Sequence, residues 1–394
     1  MSGGRVRVLY VINKLGEQGG AERFTLGLAA ALPRDRIEPW VCVTRSATDG
    51  ALRILREAAV PTVILGRRTR WQSHRMFGLS RLLHRQRFDV LHSHMFGSNV
   101  WGMVLGRLAR VPVLVAHEHT WSFEGNPARV WADANVIGRL ATRFVAVSSL
   151  DARRMVEHEG VPAEKVVALP TAWVPRPDSA GDIRAELGLD PGTPLIATAA
   201  VLRPQKAIDV LLDAFALVLQ SIPAAHLVIA GDSVMRPNGT RDPLRQTLEA
   251  HAAQLGIAGS VHFLGVREDV DSILAAANAA ALSSDFEGTP LFLFECMAHD
   301  APLVATAVGG VPDVIDDGSS GILVPPRDPG ALADGLTQLL ADPDRRAALC
   351  TAARRRLDDF RIEVVAGRFA DLYEELLAAR TPRRAPVDLP VRST

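Results

Sequence analysis

Short β-branched and apolar runs alternate with helix-period stretches along most of this chain, and the alternation occurs twice. In the first half the strand-like runs fall at residues 6–12, 40–44, 62–65, 89–92, 113–116 and 144–147. Helical spacing fills 21–32, 80–87, 98–108 and 150–158 between them. The second half repeats the theme with runs at 195–200, 226–230, 261–263, 279–282 and 303–306, and helical stretches at 208–220, 244–255, 270–276 and 291–299. Strands separated by helices can pair in parallel, because a parallel neighbour needs a crossover long enough to hold a helix. Each half therefore predicts an α/β fold, a doubly wound parallel sheet with helices on both faces.

At 394 residues the chain exceeds what one core comfortably serves. Leu169 to Asp178 contains Pro170, Pro175 and Pro177, a density of proline that continues neither helix nor strand. The expected division is a first α/β domain over 1–170, a linker at 171–178 and a second α/β domain over 179–355. Leu357, Phe360, Val364, Phe369, Leu372, Tyr373 and Leu376 recur at helical spacing, so 356–380 should form a long helix packing back toward the first domain. The tail 381–394, with no period, should be disordered.

No apolar stretch reaches the roughly 18 to 20 residues a membrane helix requires, and the opening apolar run is too short for a secretory leader. Cys42, Cys296 and Cys350 are odd in number and lack metal-type spacing, consistent with a reduced, cytoplasmic protein. The zero net charge conceals a split. Basic side chains outnumber acidic ones 24 to 14 through residue 175, and acidic outnumber basic 30 to 20 thereafter. The two halves are thus expected to meet different ligands.

In open parallel sheets, ligands gather at the carboxyl ends of strands, so the chemistry should lie just past them. Residues 283–298 follow an alanine-rich strand, form a polar turn and start a helix, with Thr289 expected as N-cap and Pro290 as the first helical residue. Free amides around Gly288, Thr289 and Leu291 would suit a diphosphate. Glu287 and Glu295 have seven residues between them. Isolated glutamates are usually solvated or serve a helix dipole, but the Gly288-Thr289-Pro290 junction favours a site. Arg203 offers a planar fork and Lys206 a point charge, the two kinds of cation that can stabilise a leaving nucleoside diphosphate. Only three lysines stand among 41 arginines, and Lys206 is one of them.

The segment carrying Glu287 and Glu295 resembles the E-x7-E motif of the retaining family 4 glycosyltransferases, whose fold is GT-B, two Rossmann-like domains facing a cleft. The resemblance extends to Gly19-Gly20-Ala21-Glu22-Arg23 as a glycine-rich loop after the first strand, to the segment ending Arg203-Pro204-Gln205-Lys206, to Gly231-Asp232 at a strand-end turn, and to residues 305–313 and 321–325. It implies transfer of a sugar from a UDP- or GDP-sugar to an acceptor hydroxyl, with no metal and no further cofactor. It places Glu295 on the ribose hydroxyls, Glu287 toward the sugar and diphosphate, and a histidine near the sugar's 6-hydroxyl. Departures are Ala207 where glycine is common, Asp313 where glutamate is common, and Thr171-Ala172 where many relatives have Asn-Gly.

His92-Ser93-His94 and His117-Glu118-His119 end two expected strands. His119 fits the sugar-facing position, and His117 is its rival because strand-end alignment slips easily. A zinc site is not expected, since His-x-His on a strand sets both rings on one face without making them converge. Asp269-Val270-Asp271 is read as helix-dipole capping with Glu268 rather than a metal motif. Crowded arginines at 67–87 suit an anionic acceptor, such as a lipid-linked phosphate, or peripheral contact with an anionic membrane. Nucleic acid is not an expected partner. The rival functions are a nucleotide-sugar epimerase of the same architecture and a non-catalytic scaffold. The intact set Arg203, Lys206, Glu287 and Glu295 speaks against the scaffold.

Overall fold

The computed structural model describes residues 4–17, 19–69, 72–119, 126–175, 180–234 and 240–380. The expected tail at 381–394 and part of the expected linker lie outside these residues. Two parallel sheets carry the fold. The first contains β1 (Val6–Leu15), β2 (Ile37–Ala47), β3 (Thr62–Ile64), β4 (Val90–His94), β5 (Val113–Glu118), β6 (Arg143–Ala146) and β7 (Val166–Ala168), in the order β3-β2-β1-β4-β5-β6-β7. The second contains β8 (Leu195–Ala199), β9 (His226–Ala230), β10 (Val261–Gly265), β11 (Ala279–Leu282), β12 (Leu303–Thr306) and β13 (Ile322–Val324), in the order β10-β9-β8-β11-β12-β13.

Strands that are covered on both faces must be apolar throughout, and the central ones are. Val8 to Ile12 on β1 and Ala279 to Ala281 on β11 are fully buried. Leu211, Phe215 and Val218, one face of the helix Ile208–Ser221, pack with β9 side chains in one core cluster of the second sheet. In each sheet the strand order reverses once, between β1 and β4 and between β8 and β11. Crossovers leave such a reversal toward opposite faces, which opens a crevice at the strands' carboxyl ends.

The chain clusters into two compact units. One holds the described residues through His117, those of Trp131–Phe144 and those from Ala366 to Arg380, and the other holds the described residues of Glu118–Val130 and Val145–Val365. The C-terminal apolar stripe is not one helix. A helix at Pro343–Leu357 ends in a single 3-10 turn, Asp358–Phe360, before the helix Ile362–Arg380 begins. Leu357 and Phe360 join the core of the second sheet, whereas Phe369 and Tyr373 are buried against β1 and β4 side chains in the first unit. Val364, counted in the stripe, is exposed. The alternation pattern also passes over the helices Asp49–Glu57 and Pro329–Ala341, and the three-residue strands β7 and β13. No helix among the described residues is long and apolar enough to cross a membrane.

Candidate active site

The residues singled out in the second half collect at the reversal of the second sheet, at the carboxyl ends of β8 and β11. Past β8, Arg203 opens a 3-10 turn, Pro204–Lys206. Past β11, residues 283–287 form a loop that hydrogen bonds stitch to that turn. The Asp285 amide donates to the Gln205 carbonyl at 2.8 Å, Gln205 Nε2 to the Phe286 carbonyl at 2.7 Å, and Ser283 Oγ to the Lys206 carbonyl at 2.8 Å. The result fixes two side chains against each other. Lys206 Nζ stands 2.5 Å from Glu287 Oε1, which also accepts from Ser284 Oγ at 2.7 Å. Glu287 and Glu295 are both buried. A carboxylate loses hydration on burial, and at Glu287 the ammonium and the hydroxyl replace it. Arg203 is exposed, and its side chain makes no ion pair or hydrogen bond among the described residues.

The turn after β9 completes the rim. Gly231 has φ 137°, and a side-chain carbon there would fall 1.8 Å from the Ala200 carbonyl oxygen, so only glycine permits the approach of this turn to the strand-end segment of β8. The Asp232 carboxylate pairs with Arg241 and, at 3.8 Å, with Arg245. Gly19 and Gly20, by contrast, belong to the first unit, at the N-terminus of the helix Gly20–Ala31.

Thr289 does not cap the following helix. The helix runs Leu291–Ala298 with extended Pro290 as its N-cap residue, and Thr289 Oγ1 donates instead to the Val147 carbonyl at 2.7 Å. Gly288 is hemmed in, since a side-chain carbon there would lie 2.4 Å from the His119 carbonyl oxygen. The Gly310 amide donates to the Gly288 carbonyl at 2.6 Å, and Gly309 adopts φ +55° beside Glu287. The two glycines let the 309–310 turn brace the backbone of the glutamate loop.

The two candidate histidines part company. His117 is fully buried in the first unit, with Phe24 at a ring-centroid distance of 5.4 Å and Phe369 at 5.7 Å. His119 belongs to the second unit, its backbone beside Gly288, and desolvation lowers its pKa from 6.5 to about 3. Asp269 is the N-cap residue of the helix Val270–Ala276 and Asp271 lies in its first turn, as dipole capping expects, although the Asp269 side chain makes no cap hydrogen bond. Its carboxylate is held by Arg267 at 2.8 and 2.7 Å, and Arg267 also grips Glu186.

Arg327 has no signal in the sequence, yet its guanidinium joins the two sides of the site. It contacts Asp209 at 2.8 Å and both carboxylate oxygens of Asp285, the Nε bond measuring 2.5 Å. Asp209 lies in the first turn of the helix after Lys206, and Asp285 stands two residues before Glu287.

This geometry coincides with family assignments over most of the chain. Residues 179–356 match the Glycosyl transferases group 1 family, and residues 18–172 match Glycosyltransferase Family 4. A D-inositol 3-phosphate glycosyltransferase of Streptomyces bingchenggensis is 31% identical over 74% of this chain and 67% of its own length. One from Thermobispora bispora is 32% identical over 76% of this chain and 73% of its own. The chain is a family 4 glycosyltransferase. The Anabaena protein HepE, solved in complex with UDP, superposes with a TM-score of 0.79 at 21% identity, covering 94% of this chain and all of that one. The lipopolysaccharide glycosyltransferase WaaG has a TM-score of 0.67 at 18% identity, over 93% of this chain and 99% of its own. These likenesses make the glycosyltransferase a GT-B protein.

Proposed function

We propose that this glycosyltransferase moves a sugar from a uridine diphosphate donor to a hydroxyl of an anionic polyol, with retention at the anomeric carbon and without a metal ion at the diphosphate. The observation that carries the reading is the Lys206–Glu287 pair at the β8/β11 reversal, with exposed Arg203 beside it. Lys206 and Arg203 supply two positive charges where a leaving diphosphate would gather negative charge, which is the task a divalent ion would otherwise perform. Buried Glu295 is assigned to the ribose hydroxyls and Glu287 to the sugar and diphosphate. His119, rather than His117, is assigned to the sugar, as a neutral imidazole able to donate to or accept from a hydroxyl. The departing phosphate assists in taking the proton from the incoming hydroxyl. Uridine is preferred because structural neighbours were solved with UDP and with UDP-glucose. An anionic acceptor is preferred because the relatives are named for inositol 3-phosphate and the first 175 residues carry a positive excess of ten.

A thermal-shift screen of UDP- and GDP-sugars, followed by an assay of nucleotide release with and without inositol phosphates, tests the reading. UDP-sugars should raise the melting temperature most, and release should require acceptor. Release without acceptor, accompanied by a changed donor sugar, would favour the epimerase. The product's anomeric coupling in NMR reads retention.

A second reading of the basic surface rests on one observation. Phe77 is 76% exposed beside Arg81, His84 and Arg85, all on the helix Phe77–Gln86. An exposed aromatic flanked by arginines suits an anionic membrane surface. Co-sedimentation with vesicles of rising anionic lipid content should then fall with salt and with Arg81→Glu/Arg85→Glu. Equal binding to neutral and anionic vesicles, or none to either, would leave a soluble acceptor.

A further inference from the structure

Three histidines that the sugar-transfer reading does not use meet in the interior of the first unit. Strands β4 and β5 pair in the register His92↔Val115 and His94↔His117, and β1 sets Tyr10 beside His92. Because side chains alternate along a strand and share a face across a pair, His92, His94, His117 and Tyr10 all stand on one face of the sheet. All four are 0% exposed. One ring nitrogen from each histidine lies within 4.8 Å of those of the other two. The ring centroids are 4.3 Å apart for His92 and His94, 5.1 Å for His94 and His117, and 5.3 Å for His92 and His117. Phe24 and Phe369 pack against the cluster. His92 Nδ1 lies 2.7 Å from the Tyr373 hydroxyl, which lies 2.8 Å from the Tyr10 hydroxyl.

We propose that His92, His94 and His117 form a buried site for a divalent transition-metal ion of the zinc class. Register brings His117 onto the face that His92 and His94 share, a juxtaposition that neither His-x-His pair states on its own. Three imidazoles without a carboxylate select zinc, cobalt, nickel or copper over magnesium and calcium, which take oxygen ligands. Zinc–nitrogen bonds of about 2.0–2.1 Å hold tetrahedral ligand atoms about 3.3 Å apart, so nitrogens within 4.8 Å of one another close on an ion with at most about 1.5 Å of movement, together with a turn of the His92 and His117 rings, now stacked at 4°, that aims their in-plane lone pairs at one point. Metal-bound histidine characteristically donates its second ring N–H to an acceptor, and His92 Nδ1, 2.7 Å from the Tyr373 oxygen, is placed to do so in the tautomer protonated at Nδ1. His92 then presents Nε2 to the ion, and three protein ligands leave a fourth position for a small oxygen ligand. Tyr373 and Phe369 come from the C-terminal helix, nearly the full chain length from Tyr10. The ion, through His92 and its contact with Tyr373, therefore couples the helix to β4 and β5, and its affinity reports whether that helix is docked.

The test uses the full-length, untagged chain, stripped by dialysis against a strong chelator and titrated with zinc alone and cobalt alone. The expected result is one equivalent per chain, visible d–d absorption of cobalt in tetrahedral coordination, and a melting temperature raised by zinc. His94→Asn and His117→Asn should each lose the equivalent while keeping the wild-type circular dichroism. Tyr373→Phe should keep the stoichiometry with affinity weakened about 10- to 100-fold. Failure of the folded wild type to take up zinc would overturn the proposal and leave a stack of hydrogen-bonded imidazoles. So would uptake unchanged in both histidine variants. Should those variants not fold, undiminished zinc affinity in Tyr373→Phe overturns it.

Discussion

Lys206 Nζ lies 2.5 Å from Glu287 Oε1, so the cation assigned to the leaving diphosphate is already paired with the carboxylate assigned to the sugar. The two roles are coupled, and one substitution disturbs both. Lys206→Ala should lower turnover by on the order of 10² or more, since it removes charge stabilisation that grows in the transition state. It should also cost stability, on the order of 2 kcal/mol, because buried Glu287 loses its counter-charge. Lys206→Ala/Glu287→Gln separates the effects. The double variant should regain melting temperature and stay inactive. Turnover in the double variant no lower than in Glu287→Gln alone would show that Lys206 only holds the loop.

The two buried glutamates should differ in kinetics. With Glu295 assigned to the ribose hydroxyls, Glu295→Gln would remove a strong acceptor there, so the donor Michaelis constant should rise about tenfold with turnover little changed. Glu287→Gln acts at the sugar and diphosphate, so turnover should fall by more than the Michaelis constant rises. Identical effects in steady-state kinetics on both variants would refute the assignment.

Periodicity reveals most of this fold because both sheets are parallel and buried on two faces. Runs such as Ala279–Leu282 and Leu303–Thr306 can be read residue for residue. It misses β7 and β13, whose three residues show no period, and it joins Leu357 to Phe369 across a 3-10 break that preserves helical spacing by chance. Arg203, Lys206 and Glu287, the residues proposed for the donor, could be picked out because they follow strands in short segments. Ala207, which stands where glycine is common in the family, adopts φ 47°, and this left-handed turn accounts for the glycine preference. Thr289 looks like an N-cap in sequence, but the cap depends on backbone angles, and its hydroxyl finds the Val147 carbonyl instead. The histidine cluster is hidden for another reason: pairing His94 with His117 is a matter of register, which local sequence does not state.

Arg327 offers a test of positioning. Its guanidinium is half exposed, so its ion pairs contribute little to global stability. Yet it joins Asp209, after Lys206, to Asp285, before Glu287. Arg327→Ala should lower turnover about three- to tenfold while the melting temperature stays within a few degrees, and Arg327→Lys should restore only part, lacking the fork. A loss of melting temperature in proportion to activity would make Arg327 merely structural.

The last prediction concerns acid. Burial lowers the His119 pKa from 6.5 to about 3, so the native protein keeps this imidazole neutral where the unfolded chain protonates it. Between those values the unfolded state binds more protons, and the contribution of His119 to stability is lost as pH falls below about 6.5. Asp151 has the opposite sign. Burial raises its pKa from 3.8 to about 6 against the lowering effect of the Ser148 hydrogen bond, so its contribution is full below 3.8 and lost as pH rises through about 6. The two oppose each other between pH 3.8 and 6, and above 6.5 both have completed their change. Melting temperature measured against pH for the wild type, His119→Gln and Asp151→Asn separates them. His119→Gln should flatten the decline on the acid side of neutrality. Asp151→Asn should gain on the wild type from pH 4 to about pH 6 and then hold level, because the amide replaces a carboxyl that must ionise while buried. Curves that run parallel to the wild type across that range would mean that neither group is held in the protonation state its burial dictates.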